Sequence, residues 1–166
     1  MIRWATPEDA EALAEVQVRA WRHAYVDFVD PQLLFDTSVE DMTARWTRWL
    51  AGEDGGRPAR VWDQGGTVAG WAVTGPSRDP DGDDRGELYA IHVDPAAQGA
   101  GVGTALLARA EEDLRDLGFG EATLWTYAQN GLAQTFYERN GWQADADAGP
   151  REDPWGPAVR YRKQLG

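Results

Sequence analysis

One short stretch of this chain, Gln98-Gly99-Ala100-Gly101-Val102-Gly103-Thr104, has residue types and spacing suited to holding an anion. Glycine lets backbone approach a ligand closely, and a helix start presents unpaired N–H groups at the positive end of a dipole. An apolar helical pattern follows at once, so the stretch reads as an anion cradle at a helix N-terminus. Upstream, the preceding strand carries two titratable side chains, Glu87 and His92. Downstream, Tyr137 offers a phenol that can give up a proton.

Two familiar anion sites fit poorly. A nucleotide-binding loop of the Walker type needs Lys and Ser or Thr after its last glycine, whereas Thr104-Ala105 follow Gly103. A dinucleotide fingerprint would require glycine at Thr104 and an acid at the end of the next strand, whereas Glu121 stands at the start of one. A Ser-His-Asp hydrolase lacks its elbow motif, since the serines are Ser38 and Ser77 alone. Asp79, Asp81 and Asp83 begin like a calcium loop, but Asp84 and Ala90 occupy the positions that demand Gly and Glu. That segment reads as a solvated loop.

The elements that must position these residues follow from periodicity and punctuation. Residues 2–5 read as a strand. Thr6-Pro7-Glu8-Asp9 then carries an N-cap, Pro at N1 and an acid at N3, opening a helix through Leu13, Ala14, Val16 and Trp21 to about Tyr25. Asp30-Pro31 opens a second helix start, and Val39–Leu50 sets Met42, Trp46, Trp49 and Leu50 on one face. Residues 60–63 and 67–74 form a hairpin through Gln64-Gly65-Gly66, and the polar stretch 75–86 leads into the strand 87–93. Pro95 ends that strand because it cannot donate to a ladder.

Residues 101–117 predict a helix with Val102, Leu106, Ala110 and Leu114 on one stripe and Leu107 and Leu117 beside it. Arg109, Glu112, Asp113, Arg115 and Asp116 should face away, with Gly118 at C′. A strand over 121–127 completes a β-α-β unit with a right-handed crossover. Asn130 caps a helix bearing Ala133, Phe136 and Tyr137, which Asn140-Gly141 ends. Residues 142–144 begin a strand, 149–157 break the pattern, and 159–163 form a last strand.

Composition narrows the function class. The formal net charge of −12 repels phosphate backbones and favours cationic small molecules or basic peptides, although such a charge also serves solubility. Nucleic acid is not an expected partner. No run approaches the roughly 18 apolar residues of a membrane span, and no apolar stretch follows Met1, so a cytoplasmic, membrane-free protein is expected. The absence of cysteine excludes disulfides and thiol nucleophiles, and no His/Asp/Glu set has metal spacing.

The spacing Gln98-x-x-Gly101-x-Gly103, after a strand ending Val93-Asp94-Pro95, resembles the signature loop of the GNAT superfamily of N-acetyltransferases. The segment from Asn130 through Tyr137-Glu138-Arg139-Asn140-Gly141-Trp142 is similar to that family's second motif, which usually ends Tyr-Glu-Lys-x-Gly-Phe. The opening Ile2-Arg3-Trp4-Ala5-Thr6-Pro7-Glu8-Asp9-Ala10 is similar too, so the resemblance covers essentially the whole chain.

The resemblance implies a single α/β (α+β) domain over 1–166. Its sheet would be mixed, mostly antiparallel and twisted, with six to seven strands, a central splayed parallel pair and flanking helices. It implies acetyl-CoA as cosubstrate and a primary amine of a small molecule or peptide as acceptor, with no metal; a homodimer through the last strand is open. Backbone of Gln98, Gly99, Gly101, Val102, Gly103 and Thr104 would meet the pyrophosphate. Ile91 and Val93 would pair with the pantetheine arm, and Asn130 and Ala133 would border it.

Tyr137 would be the general acid, where spacing alone reads it as a core aromatic. Glu87 would be the general base, against a strand-edge surface charge beside Arg85. His92, on the opposite face of the strand, is the rival base or a core filler. Trp21, Tyr25 and Trp125 would edge the acceptor pocket, while Trp46 and Trp49 read as core. A non-catalytic acyl-CoA-binding module is the alternative to an enzyme.

Overall fold

Caps and glycines set the element boundaries much as the punctuation of the chain predicts. The computed structural model describes residues Met1–Gly166. In order, the chain forms β1 (Ile2–Trp4), α1 (Ala10–Tyr25), α2 (Pro31–Asp36), α3 (Val39–Leu50), β2 (Ala59–Asp63), β3 (Val68–Pro76) and β4 (Gly86–Val93). It continues with α4 (Val102–Asp116), β5 (Glu121–Tyr127), α5 (Gly131–Arg139), β6 (Gln143–Ala144), β7 (Arg151–Asp153) and β8 (Gly156–Gln164). Asp30 and Ser38 cap α2 and α3 by accepting the N–H groups of Gln32 and Asp41 at 2.8 and 3.0 Å.

The sheet runs β1-β2-β3-β4-β5-β8-β6, with β7 paired to β8. It is mostly antiparallel, and its parallel pair is β4 and β5, where Gly86 registers with Ala122 and Glu87 with Thr123. The mixed α/β architecture is the expected one. It has eight strands rather than six or seven, because β7 lies inside the stretch 149–157. Arg151-Glu152-Asp153 has no apolar alternation to announce a strand; pairing with Gly156, Pro157 and Ala158 of β8 makes it one.

Two compact units divide the contacts. The first comprises Met1–Thr74 and Ala90–Ala110. Its core centres on Trp71 of β3, whose indole N–H donates to Leu13 O at 3.1 Å and whose ring meets Trp46 edge-on at 4.7 Å. Trp46 donates to Gln17 Oε1 at 2.8 Å, which satisfies its polar edge inside the core. Trp49 is half-buried and bonds Arg57 O instead. A Cβ on Gly70 would lie 3.0 Å from Leu106 Cδ1, so the missing side chain lets α4 seat directly on β3. Arg3 of β1 grips Asp9 through both nitrogens at 2.8 and 2.9 Å and Asp63 through Nε at 2.8 Å. The Arg3 guanidinium thereby holds the Asp9 carboxyl below its ordinary range.

The second unit comprises Gly75–Tyr89 and Glu111–Gly166. Here β5 and β8 pair antiparallel from Glu121 with Gln164 to Tyr127 with Ala158, and Leu114, Leu124 and Trp142 are buried. Two expectations for α4 fail. Asp113 is buried rather than facing away, and Glu111 is buried too, taking the Trp142 indole N–H at 3.0 Å and Lys163 Nζ at 2.8 Å. Leu117 is 60% exposed because α4 stops at Asp116 and Gly118 turns the chain at φ 94°, which takes Leu117 off the helical stripe. No helix is long and apolar enough to cross a membrane.

Candidate active site

In the first unit, β4 runs into the glycine stretch through an anchored turn. Asp94 accepts Ala96 N–H at 2.9 Å, donates its own N–H to Ala69 O at 2.9 Å, and pairs with Arg19 of α1 at 2.7 Å. Beyond it, Gln98, Gly99, Ala100 and Gly101 are exposed. Gly99 and Gly101 hold φ of 80° and 82°, which side chains resist, and a Cβ on either would meet nothing within 4 Å. The glycines therefore serve the backbone path and leave the space above it open.

The helical ladder begins when Ala105 donates to Gly101 O at 3.0 Å, so the N–H groups of Val102, Gly103 and Thr104 precede its first rung. Buried Val102 and Leu106 pin this helix start. Backbone donors, a positive dipole end and an open face suit a diphosphate, and no basic side chain stands within 98–104 to assist. Ile91 and Val93 lie half-buried on β4 just upstream.

His92, on the same strand, is boxed by aromatics: its ring sits 4.9 Å from Trp71 and 6.0 Å from Trp21, both edge-on. Burial pushes the imidazole down to about 4. The ring thus packs among aromatic side chains, the core-filling role that the sequence also offered for it. Tyr25, at the end of α1, packs on Phe28 at 5.2 Å.

In the second unit, Glu87 is 2% exposed. It sits on a central strand in register with Thr123, which overturns the reading of it as a strand-edge surface charge. Its partner is Arg78 and not Arg85, which pairs with Glu121 at 2.9 Å. Glu87 Oε2 accepts the Arg78 backbone N–H at 2.8 Å, and Oε1 accepts Nη2 at 2.7 Å. Trp125 donates its indole N–H to both oxygens of Asp79, at 3.0 and 2.9 Å, and Arg151 lies over its ring at 4.4 Å. Its face already carries a guanidinium. Glu87 and Trp125 are thus tied to adjacent residues, Arg78 and Asp79, of one loop.

Tyr137 is 8% exposed on α5, with its ring 5.4 Å from Phe136 and 6.3 Å from both Trp142 and Tyr161. Asn130 caps α5 by accepting Ala133 N–H at 3.1 Å, which binds the two expected pantetheine neighbours to each other.

The solvated-loop reading of 75–86 misses Arg160. This β8 guanidinium is 3% exposed and bonds Asp145 at 2.8 Å, Asp79 at 3.2 Å and Asp81 at 2.7 and 2.8 Å. It holds the Asp81 carboxyl down at about 2. No local pattern signals the cluster, because Arg160 and Asp79 stand 81 residues apart. Arg160→Leu leaves the buried Asp145 carboxylate with only Arg162, at 3.7 Å, and is expected to cost about 3 kcal/mol. Urea denaturation checks this; a loss under 1 kcal/mol would show that the cluster adds nothing.

The sequence model of the Acetyltransferase (GNAT) family matches residues 10–142. The uncharacterized N-acetyltransferase YuaI of Bacillus subtilis is 33% identical over 130 residues, covering 78% of this chain and 72% of that protein. Mycothiol acetyltransferase of Cellulomonas flavigena is 34% identical over 150 residues; the match covers 84% of this chain but only 39% of that longer protein. Among solved structures, the putative acetyltransferase YncA of Salmonella typhimurium, described with its cofactor acetyl-CoA, superposes with a TM-score of 0.73. It is 25% identical, and the match covers 100% of this chain and 94% of that one. A family match over most of the chain, and a relative sharing a third of its residues across most of both proteins, establish that this chain belongs to the acetyltransferase (GNAT) family and is an acetyltransferase.

Proposed function

We propose that this chain transfers the acetyl group of acetyl-CoA directly to a primary amine of a small molecule or peptide. The observation that carries the reading is the open glycine turn at the start of α4, with φ of 80° and 82° at Gly99 and Gly101 and nothing within 4 Å of either added Cβ. When bound there, acetyl-CoA supplies an acyl group activated as a thioester. Backbone N–H groups from Gln98 to Thr104 take its pyrophosphate, and the main chain of Ile91 and Val93 pairs with the pantetheine arm as an added strand would.

An aliphatic ammonium has a pKa of about 10.4, so attack needs a base. Glu87 takes the proton, the amine nitrogen bonds to the acyl carbon as the carbon–sulfur bond breaks, and Tyr137 gives its phenolic proton to the departing sulfur. Trp21 and Tyr25 are assigned to the acceptor side, where aromatic faces hold a cation. A substrate cation on Trp125 would have to displace Arg151.

Acetyl-CoA should raise the melting temperature of the chain, and a panel of amines should release free thiol from it. Gly101→Val puts a β-branched side chain at φ 82° and into the open face. It should weaken acetyl-CoA binding at least about tenfold, equivalent to about 1.4 kcal/mol. Stabilisation without thiol release from any amine would instead favour a non-catalytic acyl-CoA-binding module.

A further inference from the structure

Arg78 covers Glu87 in a way that any arriving amine must undo. The carboxylate is 2% exposed, whereas the Arg78 side chain is 56% exposed. Besides the contacts above, Nε lies 3.4 Å from Oε2. The guanidinium also lies 4.0 Å over the Tyr89 ring, and the Tyr89 hydroxyl is fixed by donating to Pro76 O at 2.6 Å. One oxygen of Glu87 is therefore held by backbone, and the other by a solvent-facing cation resting on an anchored aromatic ring. A charge-assisted pair of this kind is strong at its buried end and readily exchanged at its exposed end.

We propose that Arg78 and Glu87 together select acceptors that carry a carboxylate close to the reacting amine, as amino acids do. This rests on Glu87 being the base. An ammonium alone would displace the guanidinium from Oε1 and strand it. A zwitterion replaces each broken contact: its ammonium takes Oε1, and its carboxylate takes the freed Nη1–Nη2 edge in the planar fork geometry that guanidinium offers. All four charges stay paired, in alternating order. A carboxamide in place of the carboxylate forfeits the charged bond, which is worth about 1.5–3 kcal/mol and hence about 10–100-fold in kcat/KM. Arg78 is thereby a specificity residue, and the loop that carries it is fixed by the Arg160 cluster.

The test measures thiol release with common amino acids and their carboxamides, for the wild type and for Arg78→Gln. The quantity read is the acid-to-amide ratio of kcat/KM. Dividing the wild-type ratio by the variant ratio cancels the different basicity of the two amines. The expected quotient is about 10–100, with the change mainly in KM, and Arg78→Lys should restore part of it. A quotient near 1, or a wild type that turns over only carboxamides or other amines without a carboxylate, overturns the proposal. Glu87→Gln separates the two failures. If it leaves the rate untouched, the base assignment falls; if it depresses the rate while the quotient is 1, only the role of Arg78 falls.

Discussion

Tyr137→Phe is expected to lower turnover by about 10²- to 10⁴-fold while leaving acetyl-CoA affinity nearly unchanged, the span that a positioned general acid contributes. The substitution removes one oxygen and keeps the ring, so the contacts with Phe136, Trp142 and Tyr161 survive and the fold should persist. The neighbouring phenol cannot take over. Tyr161 donates its hydroxyl to Glu138 at 2.8 Å, and burial with that hydrogen bond pushes it up to about 12. Single-turnover thiol release, beside acetyl-CoA titration by thermal shift, separates chemistry from binding. Turnover equal to wild type would remove Tyr137 as the acid and leave it a core aromatic.

Glu87→Gln should depress the rate about 100-fold at pH 7 and progressively less toward pH 10, where amines with a pKa near 10.4 deprotonate themselves. The shape of the profile matters more than the size of the loss. Glutamine retains an oxygen for the Arg78 backbone N–H but surrenders the charged bond to Nη2, so some stability is lost at every pH. Only a base role makes the deficit shrink as pH rises. His92 is not expected to substitute, because its ring packs edge-on against Trp71 and Trp21. A deficit that is uniform across pH would count against Glu87 as the base.

The candidate loop was legible because its signals are local. Leu88, Ile91 and Val93 build a strand, Pro95 stops it, and Gly99 and Gly101 turn the chain before Val102 enters the helix; each acts within a few residues of itself. The caps at Asp30 and Asn130 worked the same way, and α1, α3, β5 and α5 have the extents their spacing predicts. Periodicity also sorted Trp46 into the core, since helical spacing decides which face an aromatic presents, whereas Trp49, read as core beside it, is half-buried.

Partners across the sheet were not legible. Arg85 is the cation next to Glu87 in the chain, yet Arg78 holds it, because the loop from β3 returns a backbone N–H and a guanidinium to that carboxylate together. Asp79 and Asp81 read as solvated until Arg160, about eighty residues away, is placed beneath them by the pairing of β8 with β5. Asp113 reads as surface until packing closes over that side of α4. The sequence by itself therefore determined the order and type of the elements other than β7, the glycine turn at the start of α4 and the family. Tertiary structure decided which charges are buried and which are paired, because those depend on strands brought together from distant parts of the chain, and charge pairing leaves no periodic trace along it.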